Sequence, residues 1–305
     1  MPLNSIKQYT DSIENGNIWE SYYFKYVTPT ISQGRWQDMS MYSGFPRQQL
    51  YTGVPGKATQ LINNGDSNFS FYTGPNPPSG LQKYLHSLSI GSSNQTAATS
   101  TYLLCDYLLY YPFLDFTVPV ETLTYTLDNT LTLPRYTDGD GVMCFIVVRQ
   151  SVGDTVSATT RTCTIEYINS DGQLKTSIIF LSVNAIPGSI CNYPQSISAI
   201  SGAHSPFITL AFPDRGIRSI QSISISSAGG GSGALGVQLT LVLVKPLTQI
   251  SLQTNLAETE KTFFINGESN PIIQNGAFLN FLMCNGTSSG GNIGIIRSRS
   301  FFTWG

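Results

Sequence analysis

Charge is scarce in this chain. Lysine, arginine, aspartate and glutamate make up 11% of its 305 residues, with a formal net charge of −2, against about a quarter charged in an ordinary globular domain. No broad field exists for a polyanion or an anionic membrane surface, which argues against nucleic acid as a partner. Histidine is nearly absent: His86 and His204 are the two in the chain. A histidine-rich metal centre or a Ser-His-Asp arrangement therefore has almost no raw material, and no catalytic residue, metal or cofactor is assigned. Long apolar runs are missing as well. The longest, from Tyr102 to Phe116, contains Asp106, Pro112 and Asp115 and falls short of the roughly 20 residues that span a bilayer. The opening "MPLNSIKQYTDSIENG" has no apolar signal core, so the chain reads as soluble and made in the cytosol. Cysteine occurs at 105, 144, 163, 191 and 284, an odd set without Cys-x-x-Cys spacing, and buried free thiols fit it better than a disulfide or metal framework. Without an export signal, the Asn-x-Ser/Thr triplets at Asn68, Asn94 and Asn285 carry no weight.

Serine, threonine, asparagine, glutamine and glycine fill the polar positions instead, a chemistry suited to turns and strands. Gly231-Ser-Gly233-Ala-Leu-Gly236 has the glycine spacing of a dinucleotide fingerprint, but that motif must open a helix. The next residues are Val237-Gln-Leu239-Thr-Leu241-Val-Leu243-Val, with the period of two that marks a strand, so the glycines read as a loop between strands. Asp138-Gly-Asp140-Gly141 begins like a calcium loop, yet Val142 stands where an oxygen ligand belongs and no glutamate closes it; it reads as a turn. Asp106 and Asp115 could form a carboxylate pair for glycoside hydrolysis, the weakest of the functional readings.

Asn4 or Ser5 can cap a short helix through Asn15, with Gly16 beyond its end. From about residue 27 to 80 periodicity disappears while aromatics accumulate: 13 of the 16 tyrosines lie in residues 1–125. Disordered chains are poor in aromatics, so residues 1–80 read as a helix and an extended, irregular arm that docks on its own body or on a neighbouring subunit. Its candidate contact residues are Trp19, Trp36, Tyr42, Phe45, Tyr51, Phe71 and Tyr72. Residues 81–305 read as an antiparallel, jelly-roll-like β-sandwich, making the chain mainly β with one or two short helices. Strands are expected at 85–90, 142–149, 207–212, 217–225, 237–244, 262–265, 277–283 and 293–302, and a helix-like segment from Thr101 stops at Pro112. Asp171-Gly172 suits a two-residue hairpin turn, setting Cys163 opposite Phe180 and Ile165 opposite Ile178. Arg297 and Arg299, at strand period, face one way and suit an exposed edge or an interface clamp.

The N-terminal helix, "QGRWQDMSMYSGFPRQQLYTG" from Gln33, "LLCDYLLYYPFLD" from Leu103, "LPRYTDGDGV" from Leu133 and the Gly/Ser turn before "VQLTLVLVKPL" together resemble structural proteins of tailed-bacteriophage virions. The resemblance implies a capsid decoration or minor head protein without an active site, made in the host cytoplasm, with copies of itself and other virion proteins such as a major capsid protein as partners. A jelly-roll glycan- or receptor-binding virion protein is the alternative; the loops at Gly229–Gly236 and from Cys284 to Asn292 would then contact a glycan.

Overall fold

The computed structural model of the chain describes residues 6–31, 34–63, 68–93, 100–116, 122–151, 160–182, 186–191, 205–226, 237–252, 257–263, 270–286 and 291–305. A helix, α1 (Ile6–Glu14), leads into β1 (Ile18–Ile31), β2 (Trp36–Asp38), β3 (Gly44–Phe45), β4 (Thr59–Gln60), β5 (Lys83–Ser92), β6 (Thr101–Asp115), β7 (Thr122–Thr126) and β8 (Met143–Ser151). Then come β9 (Thr160–Asn169), β10 (Leu174–Ser182), β11 (Ile217–Ser226), β12 (Val237–Ser251), β13 (Thr259–Thr262), β14 (Ile272–Ile273), β15 (Leu279–Cys284) and β16 (Gly291–Trp304). The paired strands are antiparallel. A first sheet has the order β13-β5-β16-β1-β3 with β14 on β5, a central sheet β2-β15-β6-β12-β8 with β4 on β6, and a third sheet β10-β9-β11-β7. Neighbours are distant in sequence, as β1 with β16 and β6 with β12, the long-range pairing of a jelly-roll-like sandwich. The first 80 residues supply β1 and β3 to the first sheet and β2 and β4 to the central one.

The central sheet is buried on both faces. On one face its Tyr102, Leu104, Phe281 and Met283 pack against Tyr23, Val27, Leu88 and Phe302 of the first sheet, and its Cys144, Ile146 and Leu241 against Cys163, Ile165 and Ile223 of the third. The reverse face, with Tyr107, Phe145 and Val242, is covered by Trp36, Tyr51, Leu61, Ile190 and Phe207. A strand covered on both sides reads as a continuous apolar run instead of an alternation. That is why residues 101–112 look helical in sequence but form the first part of β6, a correction in which burial overrides pattern. Pro112 does not stop the strand because it sits at a bulge: β12 pairs Leu239 with Leu114 and Leu241 with Tyr111, leaving Pro112 and Phe113 opposite Thr240, and a bulge has no use for the missing N–H.

The 162–181 hairpin forms with a register one residue away from the expected one. Ile165 lies opposite Ser177 and Cys163 opposite Ile179, because the loop holds three residues: Asn169 N–H bonds Gln173 O at 3.0 Å and Gly172 N–H bonds Asn169 O at 3.0 Å. Gly172 takes φ +79°, the left-handed residue of a three-residue loop. Asn169 Oδ1 accepts from Asp171 N and Gln173 N, an acceptor that a two-residue turn does not use. One step of register moves every side chain to the other face, and Ile178 is accordingly exposed. Residues 207–212 form no strand; Ile208 N–H makes a single bond to Cys144 O. Asn4 and Ser5 lie outside the described residues, and α1 ends at Gly16 in the left-handed region.

Candidate interaction face

On β1 the alternate residues Tyr23, Lys25 and Val27 are buried, while Tyr22, Phe24 and Tyr26 stand out from the first sheet, 55%, 37% and 45% exposed. β3 sets Phe45 beside Phe24. The rings of Phe24 and Tyr26 meet edge to face at 5.7 Å and those of Phe24 and Phe45 stack at 6.3 Å, within the range of favourable aromatic pairs. Two features hold Phe45 there. Gly44 has φ +139°, and a Cβ on it would run into Phe24 O, so this approach of two backbones requires glycine. Behind the sheet, Lys25 Nζ donates to Tyr42 O at 2.9 Å and Pro46 O at 2.7 Å, clamping the segment that carries Phe45. Burial pulls the Lys25 ammonium down to about 8.

The next column belongs to β16, where Arg299 lies opposite Tyr22 and Arg297 opposite Phe24. The Arg299 guanidinium lies 5.7 Å from the Tyr22 ring and 5.6 Å from that of Phe301 and pairs with Glu20, Nε to Oε1 at 2.7 Å. That carboxylate also raises the Tyr22 phenol by hydrogen bonding. Beyond it β5 offers small residues, Ser87, Ser89 and Gly91, opposite Phe301, Arg299 and Arg297, and Glu260 of β13 pairs with Ser89. The result is a recess of about 200 Å³ lined by Ser87, Ser89, Glu258, Glu260, Arg299 and Phe301. The face thus passes from aromatic to basic to small to acidic across four strands. Arg297 and Arg299 are exposed but lie on an interior strand between β5 and β1, which corrects their placement at a sheet edge.

The other candidate contact residues are divided. Trp36, Tyr42, Tyr51 and Phe71 are buried within this chain. Tyr51 Oη donates to Asp38 Oδ2, and Asp38 Oδ1 accepts from Tyr107 Oη at 2.9 Å; burial pushes the Asp38 carboxyl up while these bonds oppose it. Tyr42 Oη donates to Gln37 Oε1 at 2.7 Å. Trp19 stacks on Trp304 with centroids 3.8 Å apart and leaves no room for a Cβ at Gly74. Phe45 and Tyr72 are exposed. Tyr22, Phe24 and Tyr26 escape a reading by alternation because the buried positions between them include Tyr23 and Lys25, so apolar and polar residues do not separate by face.

Asp106 is buried in a bidentate pair with Arg135, Nε to Oδ2 at 2.8 Å and Nη2 to Oδ1 at 2.7 Å. Asp115 lies nine residues further along the same strand, roughly 30 Å at 3.3 Å per residue, so these two carboxylates cannot flank one glycosidic bond. Asp138–Gly141 is a turn in which Asp140 N bonds Asp138 Oδ1 at 3.1 Å. Among the described residues no three His, Cys, Asp or Glu side chains are grouped to hold a metal, and the five cysteines are buried and free. His204 and the 229–236 loop lie outside the described residues, as does 287–290 of the loop from Cys284. The strand β12 comes directly after that glycine loop, so the helix a nucleotide fingerprint needs is not there.

No family model matches the chain, and no curated protein does. Among solved structures it is similar to infectious bursal disease virus, Gt strain, at 11% identity over 94% of this chain and 80% of that one, with a TM-score of 0.20. The crystal structure of the infectious bursal disease virus VP2 subviral particle gives 11%, 94%, 79% and 0.20. The Gx strain of the same virus gives 11%, 94%, 80% and 0.21. With superpositions this loose, the sandwich rests on the strand pairing and the packed cores.

Proposed function

We propose that the chain is a structural component of a virion, of the capsid-decoration or minor-head type, made in the host cytoplasm and held in the particle through the outer face of the first sheet. The aromatic column of Tyr22, Phe24, Tyr26 and Phe45 carries this reading. At roughly 150–250 Å² per side chain the exposed fractions amount to roughly 350 Å², the size of a functional surface patch and a little under half of what each partner gives to a standard interface. Burying it adds nothing to the chain's own core, which already has both sheet faces filled. Copies of the same chain and other virion proteins such as a major capsid protein are the partners; no enzymatic step and no nucleic acid enter the reading. The triple variant Tyr22→Ser, Phe24→Ser, Phe45→Ser should keep the circular dichroism of the folded sandwich but lose self-association in light scattering and occupancy in particles. Unchanged mass and occupancy would overturn the proposal.

The recess beside Arg299 favours a second reading, glycan or receptor binding, since aromatic rings next to carboxylates and serines suit a hydroxyl-rich ligand. Binding on a glycan array that Glu260→Ala abolishes would support it, and silence across a broad array would remove it.

A further inference from the structure

The outer strands of a β-sheet expose unpaired N–H and C=O groups, and proteins blunt such edges by shortening, charging or covering them. Among the described residues five of the six sheet edges are treated in that way. β3, β2 and β7 have two, three and five residues, and the four of β13 include Glu260 and Lys261. The longer β8 is covered: Val148 N–H donates to Ser189 O at 2.9 Å, Cys191 N–H to Ile146 O at 2.8 Å and Ile208 N–H to Cys144 O at 2.8 Å. β10 is the exception. It has nine residues, with one charge, at Lys175, neither glycine nor proline, and no bulge in its pairing with β9. Its far side is open, since among the described residues no backbone group beyond β9 bonds to residues 174–181. The strand is nonetheless held in place: Ile179 and Leu181 are buried, and Ser177 Oγ donates to Thr209 O from the inner face.

The turn sets the phase of the open groups. Asn169 N–H bonds Gln173 O, and bonded pairs alternate along an antiparallel ladder, so Lys175, Ser177 and Ile179 turn their backbone groups to β9 while Leu174, Thr176, Ile178 and Phe180 direct theirs outward. We infer that this edge pairs with the same edge of a second copy, antiparallel about a two-fold axis at Ser177; the inference rests on the assembly reading and adds a second contact to it. The match itself selects a copy. Residues opposite one another across antiparallel strands point to the same side of the sheet, so the two-fold sets even-numbered residues against even-numbered ones, those with bonds to give. Leu174 then falls opposite the copy's Phe180 and Thr176 opposite its Ile178, pairs of the kind that stabilise sheets, while each Lys175 meets an Ile179 and no like charges are opposed. Seven paired residues make a strip roughly 23 Å long and about 10 Å deep, roughly 230 Å² per copy against about 800 Å² in a standard interface. The edge therefore does not hold two copies alone; it pairs once the first-sheet contact gathers them, at an effective concentration on the order of millimolar. Because main-chain groups carry it, Ile178→Thr, also β-branched, leaves it in place.

Residue-resolved hydrogen exchange on the full chain, dilute and assembled, tests the pairing. The amides of Thr176, Ile178 and Phe180 should exchange on the order of tenfold or more slowly in the assembled form. Thr176→Pro should abolish that slowing and keep the circular dichroism of the fold, since the N–H it removes points away from β9. Assembly without slowing overturns the inference and leaves the assembly reading standing; no assembly at any concentration overturns both. Slow exchange already in the dilute monomer overturns it too, as does slowing that appears only when another virion protein is added, which would assign the edge to that protein. A cross-link reads the register without a proline. Chains carrying Thr176→Cys mixed with chains carrying Ile178→Cys should form an intermolecular disulfide on oxidation, with Cα atoms about 5.5 Å apart. Thr176→Cys alone should not, its two Cα atoms being roughly 8–9 Å apart. No cross-link in the mixture, or one as strong in Thr176→Cys alone, overturns the inference.

Discussion

The outer faces of the first and third sheets start from the same plan and end differently. Each belongs to an antiparallel sheet whose inner face fills a core shared with the central sheet. On the third sheet the cross-strand rows read Ile178-Thr164-Ser224-Thr124, Phe180-Thr162-Ser226-Thr122 and Thr176-Glu166-Ser222-Thr126. Hydroxyls dominate and satisfy one another: Thr124 Oγ1 donates to Ser224 Oγ at 2.9 Å and Ser222 Oγ to Glu166 at 2.7 Å. That is the surface a β-sheet needs for solubility, and in a chain with so few charges it is made of serine and threonine. The first sheet needs the same from its outward positions and carries Tyr22, Phe24, Tyr26 and Phe45 instead. Folding alone accounts for the hydroxyl face; the aromatic one is the face that the proposed contact would cover.

The comparison requires that stability reside on the inner faces of both sheets. Phe281, in the core between the first and central sheets, makes edge contacts with Tyr23 and Phe71 at 5.1 and 5.3 Å. Phe281→Ala should cost about 3–5 kcal/mol through lost burial and a residual cavity, read as a shift in the urea midpoint. A cost below about 1 kcal/mol would mean that the first sheet is not held by this core and that its outer face is not a mere exterior.

A smaller difference lies in pH. The first sheet buries Lys25 and Lys83, both lowered by burial to about 8, whereas Lys175, the lysine in the strands of the third sheet, is not buried. The unfolded chain keeps these protons up to about pH 10.4, so above pH 8 it binds more protons than the folded chain and stability should rise, by roughly 1.5 kcal/mol for Lys25 up to about pH 9.5, with the less desolvated Lys83 adding a smaller share. Above about pH 10 the sign reverses, because the phenols of Tyr23, Tyr51 and Tyr107 ionise in the unfolded chain while burial keeps them protonated in the fold. Lys25→Met should flatten the rise and leave the fall. It should also free the segment bearing Phe45, detectable as faster hydrogen exchange at residues 42–47. An unchanged profile would show that Lys25 is not the clamp.

The fold class was legible because turn residues and alternating strands are local signals; β11, β12 and β16 lie where the alternation puts them. Three things were not. The central strand β6 is apolar on both faces, so its period vanishes and only its neighbours reveal it as a strand. The hairpin register turned on whether Asn169 sits in the ladder or its side chain replaces a ladder acceptor, a one-residue choice that Asp171-Gly172 permits either way. For the candidate contact residues the sequence marks the aromatics but not their side: Trp36 and Tyr51 of the same irregular stretch turn inward to the central sheet, whereas Phe45 turns outward because Gly44 and Lys25 hold it there.

The smallest expected effect separates the two faces most directly. Ile178 on the third sheet is 65% exposed, more than any aromatic of the first-sheet column, so exposure alone would rank it ahead of that column as a contact. Across the sheet its neighbours are the hydroxyls of Thr164, Ser224 and Thr124, however; Leu174 and Phe180 share its strand face, but no ring contact joins them to a column, and scattered exposed apolar residues are ordinary on protein surfaces. Ile178→Thr should change stability by no more than about 0.5 kcal/mol and leave the mass in light scattering unchanged, while Phe24→Ser, which also loses its ring contacts with Tyr26 and Phe45 and so costs on the order of 1–3 kcal/mol, lowers it in a chain that remains folded. If the two substitutions reduce self-association alike, the aromatic column has no special standing, and attraction between subunits tracks exposed apolar area wherever it lies. If only Phe24→Ser does, then contiguity with neighbouring rings and arginines, and not exposure of one residue, makes the first sheet's outer face a surface built for contact.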